Sequence, residues 1–381
     1  MKITGISTLC LSRMHSPEET WFTSDFRAVK ADAIIVTVQT DSGLKGVGEA
    51  SPYGNPTLVR DWVRRLEPIL LELDPLNPCS TLHPNGRDRS HDAAAAAIDA
   101  ALWDLRGKAS GKRIADLLSD APLDRVRLYA SGGCNFDWRD RPESLIGEVL
   151  AYADAGFTAC KIRIGSKWAY DAVTPDRLLG LLRELTQELG GRMELMLDGN
   201  TRLTEDEALA IARGIDELGF TWFEEPIDRS DVEGYARLNA TVGLPITGGE
   251  GFTTLEQFMP FFERGAFGIA QPDVAEAGIT EAFRIAQAAA RFGVDVCPHS
   301  WHNGLLAVEH AHYVAALPKP RVLELCMHQG PLQWAILKER PEIKDGWMTL
   351  PNKAGVGVEI ADGLQSKFPY VEGDYMIRVV R

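Results

Sequence analysis

The sequence predicts two architectures in one chain: an N-terminal α+β domain, then an α/β barrel of TIM type, with a C-terminal tail that folds back onto the first domain. Three observations carry this. Strand-like and helical stretches come in separate blocks over roughly the first 125 residues. Beyond them, short apolar runs alternate with helix-patterned stretches of about 15–25 residues. Acidic residues then recur where successive apolar runs end.

In the first block, ITGISTLCL and ADAIIVTVQT read as strands, and DSGLKG is the turn that closes the second before VGEAS. Between them HSPEETWFTSDFRAVK is polar and aromatic, a long excursion from a hairpin-like pair. LVRDWVRRLEPILLEL has helical apolar spacing, and DAAAAAIDAALWDLRGKASGK is Ala-rich with a Gly stop. The runs RVRLYAS, TACKIRIG, MELMLDGN, FTWFEEP, LPITGGE, GIAQPD, VDVCPHS and VLELC follow. They are near-continuously apolar, as strands of a parallel sheet buried on both faces must be. SLIGEVLAYADAGF, DRLLGLLRELTQELG, EDEALAIARGIDELG and AFRIAQAAARFG supply helices between them. Eight such strands over about 200 residues suit a closed barrel better than an open sheet. The expected divisions are residues 1–125, 126–345 for the barrel and 346–381 for the tail, where DGWMTLPNKAGVGVEIADG returns to strand and turn chemistry.

With 381 residues, 45% hydrophobic and 25% charged, the chain has ordinary globular composition and ample length for a large core. A net charge of −14 and the lack of a dense basic run argue against a nucleic-acid partner. Cys10, Cys79, Cys134, Cys160, Cys297 and Cys326 show no CxxC spacing and read as reduced thiols, several of them buried, in a reducing compartment. MKITGISTLCLSRMHS lacks the apolar core of a signal peptide, and no apolar run reaches membrane-spanning length. The expectation is a cytoplasmic enzyme with no membrane partner.

Asp198 ends the third barrel strand, Glu224 the fourth and Glu250 the fifth, at steps of about 26 residues, close to one βα unit. Asp273, His299 and Glu324 end the next three. Any one acid alone reads more readily as a helix N-cap or a solvated loop residue. Three in register converge on the mouth of a barrel, where they repel each other and need a cation. Oxygen ligands suit Mg²⁺, whereas Zn²⁺ more often brings His or Cys. In KIRIG, Lys161 and Arg163 are two apart and share one side of the second strand; buried there, they call for the anions of the mouth. Asp273 and His299 lie on adjacent strands, so the carboxylate can fix one imidazole nitrogen and leave the other as a base. His302 is the rival and reads as a loop residue; His83, His91, His310, His312 and His328 read as surface or structural.

These motifs carry a resemblance. On AIDAALWDLRGKASGK, KIRIG, MLDGN, FEEP, GGE, QPD, PHSW, LEL and GVGVEI, the chain resembles the mandelate racemase subgroup of the enolase superfamily, nearly end to end. The resemblance implies an α+β capping domain on a (β/α)7β modified TIM barrel, with the tail returning to the cap. It implies Mg²⁺ held by Asp198, Glu224 and Glu250, a His299–Asp273 general base, and Glu324 hydrogen-bonding the substrate carboxylate. The shared chemistry is abstraction of the proton α to a carboxylate. The metal, Lys161 and a protonated Glu324 would stabilise the charge that develops.

One departure matters. The subgroup commonly has Lys-x-Lys on the second strand, with the second lysine as a base; here that place holds Arg163. A guanidinium stays protonated and is a poor base. Racemisation needs a base on each face of the carbanion, and only His299 is clear. Elimination is therefore favoured: Mg²⁺-dependent dehydration of an acid sugar, an aldonate or aldarate, to a 2-keto-3-deoxy acid, with Arg163 gripping a carboxylate or hydroxyl of the substrate. The alternatives are an epimerase, racemase or cycloisomerase with Lys161 as second base, or a non-catalytic binding protein. A nicotinamide oxidoreductase is disfavoured, because no GxGxxG follows a strand. Specificity is expected in the loop at about residues 13–30, through His15, Trp21, Phe22 and Arg27, with Asn200, Trp301 and Asn303 also at the mouth and WRDRPES within reach. A homo-oligomer is expected, since exposed barrel faces often assemble.

Overall fold

In the computed structural model, residues 1–22, 26–76, 82–134, 136, 138–139, 141–165, 171–328 and 330–378 are described. Cys79, residues 23–25 of the 13–30 loop and Asp140 of WRDRPES lie outside them.

The N-terminal part is strand-rich, then helical. β1 (Ile3–Met14), β2 (Trp21–Phe22), β3 (Phe26–Ala28), β4 (Lys30–Thr40) and β5 (Lys45–Ala50) are followed by α1 (Pro56–Leu70), α2 (Arg89–Ser110) and α3 (Ile114–Leu118). β4 is the middle of an antiparallel sheet, paired with β1 from Met14↔Lys30 to Ile3↔Thr40 and with β5 from Ile34↔Ala50. α1 starts at Asn55, whose side chain accepts from Thr57 N at 3.0 Å, with Pro56 in the first turn where its missing N–H is harmless. Its buried residues Val59, Val63, Leu66 and Leu70 recur at helical spacing and meet Ile34, Val36 and Val38 of β4. α2 is capped by Asp88 and ends at Gly111, whose φ of 68° suits glycine. Its alanines let β5 come unusually close: a Cβ on Gly48 would stand 2.2 Å from Ala97 O. The far side of α2 is tied to the barrel, where Trp103 Nε1 donates to Thr280 Oγ1 at 2.9 Å.

Eight parallel strands follow, each but the last leading into a principal helix. They are β6 (Arg125–Ser131), α4 (Ser144–Asp154), β7 (Ala159–Arg163), α5 (Pro175–Leu189), β8 (Glu194–Asp198), α6 (Glu205–Glu217), β9 (Trp222–Glu224), α7 (Val232–Thr241), β10 (Ile246–Gly248), α8 (Leu255–Glu263), β11 (Ile269–Ala270), α9 (Val274–Arg291), β12 (Asp295–Val296), α10 (Gly304–Ala316) and β13 (Leu323–Cys326). Neighbouring strands from β6 to β12 pair in chain order, and β13 returns to pair β6 at Leu323↔Leu128. Tyr129, Met196, Trp222 and Ile269, from four of these strands, form a buried cluster with Cys297, which follows β12. In that register Arg163 pairs Asp198 and Asp198 pairs Glu224, so charged residues from adjacent strands meet at one end.

The remaining elements are α11 (Leu332–Ala335), β14 (Ile343–Lys344), β15 (Trp347–Thr349), α12 (Leu364–Lys367) and β16 (Met376–Arg378). The start of the tail departs from expectation. β14 and β15 form a hairpin, and β15 pairs antiparallel with β6 at Met348↔Val126, so DGWMTL extends the barrel's first strand and not the cap. Beyond it the chain returns to the cap: Val356 N donates to Asp104 Oδ1 at 2.9 Å, Leu11 bridges Pro369, and β16 pairs β3 at Ile377↔Arg27. The excursion between β1 and β4 thus contains two short strands that the sequence pattern does not announce. Cys10, Cys134, Cys160, Cys297 and Cys326 are free thiols. Among the described residues no helix is long and apolar enough to cross a membrane.

Candidate active site

At the charged end of the barrel is a cavity of about 290 Å³, lined by Trp21, Phe26 and Tyr53 from the cap, Arg163, Asn200, Glu225, Arg229, Glu250, His299 and Trp301 from the barrel, and Tyr375 from the tail; Lys161, Asp198, Glu224, Asp273 and Glu324 are not among its lining residues. Just past β8 and β9 the backbone turns into the left-handed region at Asn200 (φ 47°), Thr201 (61°) and Glu225 (38°). Such strain in non-glycine residues persists only where the surroundings enforce it, and it clusters at functional sites.

Asp273, after β11, is the centre of an imidazole cluster. Its Oδ2 lies 2.7 Å from His299 Nδ1 and 2.7 Å from His302 Nε2, and its Oδ1 lies 3.0 Å from His310 Nε2. Burial alone would raise this carboxyl, but the charge of His302 and hydrogen bonds from all three rings hold it well below the usual carboxylate range. His299 is turned by this contact so that Nε2 faces Glu250 Oε2 at 3.5 Å and Glu324 Oε2 at 3.9 Å. Burial opposes its protonation, but Glu250, Glu324 and Asp273 together push it up to about 10.

Lys161 is fully buried; it pairs with Glu224 Oε1 and stands 3.0 Å from Glu324 Oε1. Its desolvation favours the neutral amine, but Glu224 and Glu324 outweigh that and keep it protonated. Glu324 also accepts Ser300 N at 2.6 Å, and against burial Lys161 and His299 hold it ionised. The electrostatic help expected of Glu324 depended on its being protonated, and the Lys161 ammonium 3.0 Å away favours the carboxylate instead.

The three strand-end acids are each held by a neighbour. Asp198 accepts Asn200 N at 2.7 Å and Asn200 Nδ2 at 2.8 Å. Glu224 accepts Trp222 Nε1 at 3.2 Å and Gln271 Nε2 at 2.6 Å, besides Lys161. Glu250 accepts Arg229 Nη2 at 2.7 Å, and the same guanidinium clamps Glu225 at 2.6 Å. Burial pushes Glu224 up to about 7, against the pull of Lys161 and aided by repulsion from Asp198, Glu324 and Glu250. Burial likewise raises Asp198, whereas His299 and Arg229 overcome it at Glu250 and bring that group down to about 2. Among the described residues, the group whose ligand atoms lie within 4.8 Å of one another and could hold a metal ion is Asp273, His299 and His302, and not these three acids. Each of the three is instead paired with a different donor, on Asn200, Lys161 and Arg229 in turn.

Of the remaining candidates, Trp21, Asn200 and Trp301 line the cavity, as does Arg163, whose guanidinium carbon sits 4.3 Å from the Trp301 ring centre. His15 and Arg27 are not among the lining residues. His15 lies beside Arg13 Nη1 at 3.2 Å, and Arg27 lies over the Phe22 ring and donates to Thr20 Oγ1 at 2.9 Å, so both help shape the loop. Asn303 is buried away from the mouth and donates to Asp32 O at 2.8 Å and to Glu49. His302 is a loop residue, between β12 and α10, but it is buried there and shares the Asp273 carboxylate with His299. Residues that sequence reasoning did not single out are Tyr53, Arg89, Glu225, Arg229, Gln271 and Tyr375. Arg229 had a signal, lying four residues after Glu225. Arg89 and Tyr375 come from a cap helix and the tail, and no local pattern marks them.

Residues 5–119 match the mandelate racemase / muconate lactonizing enzyme N-terminal domain, and residues 145–364 match the enolase C-terminal domain-like family. The chain is 30% identical to the D-galactarolactone cycloisomerase of Agrobacterium fabrum, over 94% of this chain and 97% of that protein. It is 30% identical to the arabinonate dehydratase of Saccharolobus solfataricus, over 88% of this chain and 90% of that one. The crystal structure of the 3,6-anhydro-D-galactonate cycloisomerase from Zobellia galactanivorans superposes with a TM-score of 0.83 at 26% identity, covering 97% of this chain and 100% of the other. Cap and barrel both match in order, and the chain belongs to the mandelate racemase/muconate lactonizing enzyme family of the enolase superfamily.

Proposed function

We propose that the protein is an acid sugar dehydratase, a hydro-lyase that converts an aldonate or aldarate to a 2-keto-3-deoxy acid. The observation that carries this is the pairing of one oriented imidazole with one permanent cation. His299 Nε2 faces the cavity with its other nitrogen 2.7 Å from Asp273, while Arg163 on β7, a group that stays protonated, stands where a second base would be needed for racemisation. The arabinonate dehydratase, at 30% identity over 88% of this chain, supports the same reading.

In this reading His299 Nε2 takes the proton α to the substrate carboxylate. The β-hydroxyl then leaves with that proton as water, His299 returns to its starting state, and the enol left behind tautomerises to the keto acid. Lys161, held protonated between Glu224 and Glu324, places positive charge beside the reacting carboxylate. Trp21 and Trp301 wall the cavity against water.

The donor chemistry fits Mg²⁺. Asp198, Glu224 and Glu250 are oxygen donors at the ends of consecutive strands; burial first and their mutual repulsion second raise Glu224 and Asp198, and a divalent cation would relieve both. When bound there, it supplies positive charge against the negative charge developing on the substrate. Neutralising Glu250 also removes the largest pull on His299 and brings the imidazole back toward the range of a useful base.

A second reading is a cycloisomerase, favoured by the 30% identity to the galactarolactone enzyme over 94% of this chain. Incubation of the Mg²⁺-loaded protein with mono- and di-acid sugars and their lactones distinguishes them. A semicarbazide-reactive keto acid supports dehydration; lactone interconversion without keto acid, followed by NMR in D₂O, supports the alternative. No product from any of them refutes both. The free thiols fit a cytoplasmic protein. Exposed Leu58, Ile69, Leu71, Leu73 and Leu76 on the cap fit a homo-oligomer, which light scattering tests.

A further inference from the structure

Arg163 is held differently from its neighbours on the cavity wall. Arg229 is clamped by Glu225 at 2.6 Å and Glu250 at 2.7 Å, and Arg89 is fixed by Glu276 at 2.7 Å. Arg163 is only 7% exposed, yet among the described residues its Nε has no hydrogen-bond partner. The carboxylate oxygen nearest to it, Asp198 Oδ2, is 3.7 Å away, at ion-pair and not hydrogen-bond distance. Asp198 already accepts two hydrogen bonds from Asn200. What holds the guanidinium is aromatic: its carbon lies 4.3 Å from the Trp301 ring centre and 5.8 Å from that of Trp21.

A buried guanidinium whose Nε–H has no partner is costly, and its place in a cavity wall suits a group that takes a ligand. Cation–π contact engages the flat faces of the group; Nε is itself buried, so the terminal Nη1 and Nη2 donors are the ones left for a ligand in the cavity. That rigid fork matches the two oxygens of a carboxylate better than a lone hydroxyl. Lys161 lies two residues earlier on the same strand and the same side, so the two positions are roughly 6–7 Å apart along β7. If the reacting carboxylate sits beside Lys161, Arg163 meets the far end of a short sugar chain.

The geometry points to a dicarboxylic sugar acid, an aldarate, as the substrate class, with Arg163 gripping the carboxylate that does not react. This rests on the dehydratase reading for which end reacts. Binding can be read apart from turnover. The His299→Asn protein, loaded with Mg²⁺, is titrated in a calorimeter with galactarate against galactonate and with glucarate against gluconate, pairs that differ only in whether the terminal carbon is a carboxylate. At least one diacid is expected to bind about 30-fold or more tightly than its monoacid, as a bidentate charged contact allows. Adding Arg163→Gln should shrink that ratio to within about 3-fold. Arg163→Lys, which keeps the charge and the fold but not the fork, should give an intermediate ratio.

Equal affinities within both pairs, a ratio unmoved by either Arg163 substitution, or no binding of either diacid overturns the inference. Parent enzyme that dehydrates galactonate without any diacid preference would sink this inference and leave the dehydratase reading standing. Diacid binding through Arg163, with no keto acid formed by the parent, would do the reverse.

Discussion

Asp273 Oδ2 lies 2.7 Å from His299 Nδ1, and the same oxygen lies 2.7 Å from His302 Nε2. One buried carboxylate therefore fixes the tautomer of the proposed base and anchors a second ring behind it. It also caps α9 through Ala275 N at 2.8 Å.

Asp273→Asn should damage both activity and stability. An amide holds the imidazoles more weakly and offers the wrong donor to at least one of them. Turnover is expected to fall about 100-fold or more. Stability should drop by about 3–5 kcal/mol, the usual cost of breaking a buried charge pair. Urea unfolding and keto acid formation measure the two effects; loss of activity alone would mean the cluster is not structural.

Glu250→Gln should abolish Mg²⁺-dependent turnover, by roughly 100-fold or more, while the fold survives. The side chain serves the mouth of the barrel and not its core, and Arg229 keeps Glu225 as a partner. Mg²⁺ titration by calorimetry and a circular dichroism melt check this. An unchanged rate at saturating Mg²⁺ contradicts it.

Chelator-treated protein should lose stability on the alkaline side. His299 is raised to about 10 in the fold, above an unfolded value of about 6.5. A raised group stabilises fully below the unfolded value and stops doing so as pH rises through the folded one. Tm should therefore decline between about pH 6.5 and 10 for the metal-free parent. The decline should be smaller in His299→Asn, and smaller in the parent once Mg²⁺ is restored. Identical slopes in parent and variant would remove His299 as the cause.

Gly48→Ala should destabilise the cap without touching the site's chemistry. The new methyl would meet Ala97 O at 2.2 Å and Ala101 N at 2.9 Å, both backbone atoms of α2 that cannot step aside. The expected cost is about 1–3 kcal/mol. Thermal unfolding reads it, and a neutral result would show that α2 can shift away from β5.

Much of the barrel was legible in the sequence because its signals are local. Apolar runs end in acids, and strand register then carries Arg163, Asp198 and Glu224 side by side. The order β6 to β13 follows from the βα rhythm alone. What the sequence did not show depends on contacts between distant segments. Nothing in DGWMTL says that it pairs with β6, since an exposed hairpin reads alike wherever it docks. His302 is the loop residue its position implies, but its burial against Asp273 is not legible, because that aspartate is 29 positions away. Tyr375 and Arg89 reach the cavity through tail and cap, and periodicity cannot report that. The charge state of Glu324 is not legible either, because its ammonium neighbour Lys161 is on another strand.

The pairing of β3 with β16 joins residues 26–28 to residues 376–378. During synthesis the early strand must therefore wait, uncovered, until nearly everything after it has left the ribosome. The barrel can assemble first, but Trp21, Phe26 and Tyr375 come together only at the end, so a nascent chain stalled before residue 375 should be folded and still inert.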